Sequence, residues 1–95
     1  METIRTGDTY ECCYYLLNGC ELVNIESVLA GDDVNCQFVL MGKDILKFQQ
    51  TYFKRTANVN LYSFRSALKR VNSSLRKAKK KFAQSLALLE EGGQV

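Results

Sequence analysis

The chain has 95 residues, 46% hydrophobic and 24% charged, which is enough apolar material for the core of one small domain and too little for two. Histidine, proline and tryptophan are absent, which excludes serine–histidine and cysteine–histidine catalysis, histidine ligation of metals and any proline-set turn. The net charge of +3 conceals a division: residues 1–42 carry −6, residues 43–95 carry +9, and ten basic residues run from Lys54 to Lys81 with no acid among them.

In chain order, the opening residues through Gly7 hold no apolar run of the signal-peptide kind, and no stretch nears the roughly 20 apolar residues that span a bilayer. A cytoplasmic chain without membrane insertion is expected. Asp8-Thr9-Tyr10-Glu11 has the form of a capping box, with Asp8 accepting from first-turn amides and Glu11 reaching back, so a helix of about ten residues starts near Thr9. Tyr10, Cys13, Tyr14 and Leu17 fall on one face of it, and Asn18-Gly19 ends it. From Glu21 to Val28 the pattern alternates, Val23 and Ile25 against Asn24 and Glu26, as in a strand. Ala30-Gly31-Asp32-Asp33 is turn chemistry, and Val34, Cys36, Phe38 and Leu40 alternate with Asn35, Gln37, Val39 and Met41 in a second strand, which makes an antiparallel hairpin.

Gly42-Lys43 is a strand-to-helix turn: a phosphate-binding loop would need a glycine where Gln37 stands and a serine or threonine where Asp44 stands. A helix over about 44–55 follows, with Ile45, Phe48 and Tyr52 in its stripe and Leu46 and Phe53 widening it. Asn60 serves as the next N-cap, with Val59 as a staple on Phe64. Leu61, Phe64, Leu68, Val71, Leu75, Ala78, Phe82, Ser85 and Leu89 then step by three and four without interruption, a heptad seam. At 1.5 Å per residue such a helix is roughly 46 Å long, against a radius of gyration of about 12 Å for a globule of this size. The expectation is a single domain over 1–95, compact over about 8–75, with a projecting helical extension over 76–91 and a frayed tail over 92–95. Its fold class is α+β: an N-terminal helix, a two-stranded antiparallel hairpin and two C-terminal helices, the last long and basic.

Tyr14-Tyr15-Leu16-Leu17-Asn18-Gly19 followed by Glu21-Leu22-Val23, the strand Cys36-Gln37-Phe38-Val39-Leu40, Tyr52-Phe53, and Val59-Asn60 leading to Phe64, Ala67, Leu68 and Leu75 make the chain resemble a family of very small prokaryotic and mobile-element domains of unknown function. The resemblance covers residues 9–75, rests on packing positions and implies the order helix, hairpin, helix, helix. The family carries no assigned activity to transfer, and its members stop near residue 75, so the extension from Arg76 departs from it.

Four cysteines, Cys12, Cys13, Cys20 and Cys36, have neither metal-ligand spacing nor a histidine to complete a site, and two of them are adjacent in an apolar helical pattern. Reduced thiols and no metal or other cofactor are expected. Asp32 and Asp33 read as a solvated turn. No nucleophile, base and orienting group can be assembled, and no small-molecule substrate is evident, so the expectation is not an enzyme. The basic run is what packing explains least. Solvated helix faces mix signs to gain i,i+4 pairs, whereas Arg65, Lys69, Arg70, Arg76, Lys77, Lys79, Lys80 and Lys81 surround the apolar seam with one sign only. These eight are the candidate contacts to the phosphates of DNA or RNA, without strong sequence preference. Leu68, Val71, Leu75, Phe82, Leu86 and Leu89 are the candidate surface of a homo-oligomer. The alternative is an oligomeric interaction module, adaptor or inhibitor with no nucleic-acid role.

Overall fold

The computed structural model describes residues 1–92, with side chains through Leu88. Its elements are β1 (Glu2–Thr6), α1 (Thr9–Leu17), β2 (Glu21–Ala30), β3 (Asp33–Gly42), α2 (Ile45–Phe53) and α3 (Leu61–Gly92). The side chain of Leu89 and the tail residues 93–95 lie outside the described residues.

The expected two-stranded hairpin behind an N-terminal helix is corrected to a three-stranded antiparallel sheet of order β1-β3-β2, with a strand before the first helix. The missing strand is Glu2-Thr3-Ile4-Arg5-Thr6. It carries one aliphatic side chain, too few for a periodicity, yet its three β-branched residues suit a pleated edge. Pairing on β3 sets Ile4 opposite Leu40 and Thr6 opposite Phe38, which brings both onto the covered face. The packed part of the chain thus begins at Glu2 rather than near residue 8.

Hairpin β2–β3 turns through Gly31, at φ 66°, and Asp32, with Ala30 paired to Asp33. A bulge between Leu22 and Asn24 changes the expected facing of β2: Leu22 pairs with Leu40 and Ile25 with Phe38 on the core side, while Val23 is left 43% exposed. The other sheet face is polar. There Arg5 and Asn24 flank Val39 in register, and the Arg5 guanidinium binds the Glu26 carboxylate at 3.2 Å, so the buried Val39 is shielded without a second helical layer.

Helix α1 lies against all three strands and also against α2 and α3. Five consecutive residues, Glu11 to Tyr15, are buried, so the helix is enclosed on most of its circumference, whereas Tyr10, expected on its apolar face, is 58% exposed. Asp8 caps it as expected, accepting from the amides of Tyr10 and Glu11 at 2.9 and 3.3 Å. Glu11 does not reach back to the cap: its buried carboxylate accepts from the Thr6 hydroxyl at 3.0 Å and the Tyr15 hydroxyl at 2.6 Å, which ties α1 to β1. The Tyr52 hydroxyl donates to Asp8 at 2.8 Å and fixes α2 to the same corner. In α2, Ile45 is fully buried, but Leu46 and Phe53, expected to widen the stripe, are 43% and 65% exposed. Tyr15, Phe38, Leu40, Ile45 and Val71 are the largest fully buried side chains, and they draw on both the sheet and the helices.

Candidate nucleic-acid interface

Asn60 opens α3 as expected, its side-chain oxygen accepting from the Ser63 amide at 3.0 Å. Val59, the expected staple, is 42% exposed, and Phe64 meets the ring of Tyr10 instead, with centroids 5.7 Å apart. From there α3 runs 32 residues, and the molecule measures 54 Å along its longest axis against 26 and 22 Å across.

One stripe of α3 faces the rest of the chain. Ala67 and Val71 are buried, Phe64, Leu68 and Leu75 pack half-buried against the core, and Ala78, Phe82 and Ser85 line a cleft with Asn24, Ile25 and Ser27 of β2. The helix therefore lies along the hairpin as far as Ser85, where the expectation had a free projection from residue 76. The seam residues offered for a homo-oligomer are used at home in varying degree. Val71 is 1% exposed and has no surface to give, Leu68, Leu75, Phe82 and Leu86 are half-buried, and Leu89 lies outside the described side chains.

All eight candidate cations, Arg65, Lys69, Arg70, Arg76, Lys77, Lys79, Lys80 and Lys81, are exposed. None takes part in a salt bridge among the described residues, where the Arg5–Glu26 pair stands alone. The 3.6-residue period divides seven of them into two kinds, with the exposed Lys77 between the two at about 80° from Lys69. Lys69, Arg76 and Lys80 project within about 40° of one another, away from the packed stripe, with Arg65 beside them. Arg70, Lys79 and Lys81 stand on its flanks: Arg70 lines a cleft with Cys20, Glu21 and Leu22, Lys81 the one with Ile25 and Ser27, and Lys79 another with Cys36 and Gln37. The heptad wheel has the angles needed to see this division, but it cannot say which strands lie under the flanks. Asn72 shares a shallow groove with Lys69, Leu75, Arg76 and Lys79 and adds an amide to the charged surface.

Two of the four thiols adjoin this surface, Cys20 beside Arg70 and Cys36 beside Lys79. All four cysteines are free. Burial, with lesser contributions from neighbouring Cys13 and Glu11, pushes Cys12 from 9.0 up to about 12, and burial raises Cys13 and Cys20 as well, which makes all three poor nucleophiles at neutral pH. Among the described residues, no three Cys, Asp or Glu side chains come together in a way that would hold a metal ion. No helix is long and apolar enough to cross a membrane. Comparison of the chain with protein-family models, curated protein sequences and solved structures finds no match.

Proposed function

We propose that this chain is a non-enzymatic protein that binds nucleic acid through the outward face of α3. The observation that carries the reading is that eight exposed cations on one helix have no ion-pair partner among the described residues. Between Arg65 and Lys81 they extend over about 24 Å at the helical rise, enough to meet several phosphates. Repulsion along such a face costs stability that a polyanion relieves, and contacts of this kind position a backbone without reading its bases.

Titration of fluorescent duplex and single-stranded DNA and RNA across salt tests this. With about five phosphates neutralised on duplex DNA, the logarithm of the binding constant falls against the logarithm of salt with a slope near −4 to −5. Replacing Lys69, Arg76 and Lys80 together by Gln makes that slope shallower by about 2 to 3 and weakens every sequence alike. Absence of binding by the folded protein at about 50 mM salt would remove the proposal. It would favour the second reading, an oligomeric interaction module, for which Leu61 and Leu88, 73% and 68% exposed towards opposite ends of α3, supply apolar surface.

A further inference from the structure

Strand β3 is paired unequally along its two sides. Towards β2 its partners run from Asp33 to Met41, whereas towards β1 they run only from Phe38 to Gly42. The line of β1 stops because the chain leaves the sheet at Gly7 and enters α1 at Thr9. In a hairpin closed by a two-residue turn on the Ala30–Asp33 pair, Asp33, Asn35 and Gln37 exchange hydrogen bonds with β2, so the N–H and C=O groups of Val34 and Cys36 point the other way. They point into the space that β1 leaves.

That space is a cleft. Its floor is the open edge of β3 at Val34 to Gln37, Gly7 and Thr9 close one end, and Leu75 and Lys79 of α3 form its wall. Among the described residues Lys79 is the one charged side chain that lines it, and the groove shared with Arg76 and Lys69 adjoins it along α3. At 3.4 Å per residue, the five residues from Asp33 to Gln37 offer about 17 Å of strand edge.

We propose that this notch is a docking site for an extended, acidic peptide segment of a partner protein, which adds to β3 in line with β1 and sets a carboxylate on Lys79. The alternation of β1, where Ile4 faces Leu40 and Thr6 faces Phe38 on the covered side, fixes the register. A residue opposite Cys36 in the added strand directs its side chain to the helical layer, beside Leu75 and Lys79. Glutamate suits that place, with methylenes against Leu75 and the carboxylate at the ammonium. Backbone donors and acceptors repeating every second residue match another peptide backbone, not a row of phosphates. A second copy offering its own notch would bring Lys79 against Lys79, so the charge selects against self-pairing.

The test uses the full chain and a short capped peptide that alternates threonine and glutamate. Binding perturbs the backbone amide resonances of Val34 and Cys36 and slows alkylation of Cys36, the one cysteine that is not buried. A peptide with lysine in place of glutamate binds at least about tenfold more weakly, and Lys79→Glu, an exposed substitution, reverses that preference. N-methylation at alternate backbone positions of the acidic peptide abolishes binding. Failure of the acidic peptide to bind, or equal binding of its N-methylated form, overturns the proposal. The second result would mean attraction to the cations of α3 alone. Either failure is distinguishable from failure of the nucleic-acid reading, whose own test replaces Lys69, Arg76 and Lys80 on the outward side of the helix and leaves Lys79 in place.

Discussion

Among the described residues, Asp44 at φ 66° and Arg55 at φ 59° hold left-handed backbone without being glycine. Arg55 ends α2: its own amide bonds the carbonyl of Tyr52, and the amide of Thr56 bonds that of Thr51, the closing pattern in which glycine is usual. Arg55→Gly removes the steric cost of a Cβ there and should raise the unfolding free energy by about 0.5–1 kcal/mol, read as a higher urea midpoint at unchanged slope. The buried titratable groups set a second expectation. Burial and its hydrogen bond to Asp8 raise the Tyr52 hydroxyl from 10.0 to about 12, and burial raises Cys12 from 9.0 to about 12. Between pH 9 and 12 the unfolded chain releases these protons while the folded chain keeps them. It therefore binds fewer protons than the native state, and stability falls as pH rises through that window. Urea midpoints measured from pH 8 upward should decline above pH 9, and Tyr52→Phe together with Cys12→Ala should flatten the decline.

The junction of β2 and β3 with the helices is tightest at Gly42, the last residue of β3. A Cβ there would stand 2.6 Å from the Cys20 sulfur and 3.0 Å from its Cβ, and Cys20 is itself buried, so neither side can yield. Gly42→Ala should cost about 1–3 kcal/mol, and adding Cys20→Ala, which removes the sulfur, should recover a large part of it in a double-mutant cycle. Sequence patterning identified Gly42 as a break between strand and helix but had no means to see Cys20 behind it. The same limit applies to α1. Its cap at Asp8 and its end at Gly19, φ 85°, are local chemistry and were legible. That Glu11 is buried and bonded to Thr6 and Tyr15 is not local, because it depends on β1 lying beside the helix. The seam of α3 was legible as a stripe, but the stripe is silent about what covers it. Val71 is covered by the chain's own core, and Leu75→Asp would therefore disturb the fold as well as any assembly.

At the scale of the whole molecule, an elongated body 54 Å in length carries on its longest helix a set of cations with no ion-pair partner among the described residues. If those cations repel one another as the absence of partners implies, screening them stabilises the fold. The melting temperature should rise as sodium chloride goes from about 10 to 200 mM, and a fall would mean that attractive pairs dominate after all. The α+β class, the hairpin with its turn at Gly31-Asp32, the extent and cap of α3 and the list of its basic residues are legible from the residues alone. Each of these follows from chemistry among neighbours or from a periodicity long enough to count. It took the packed chain to show that residues 2–6 are a strand, that Val23 turns outward at a bulge, that Lys79 and Lys81 stand against the sheet while Lys69, Arg76 and Lys80 face away, and that β3 keeps an open edge beside Lys79. A five-residue strand has no period of its own to betray it, and the orientation of a charged helix face is set by the partner on its opposite side.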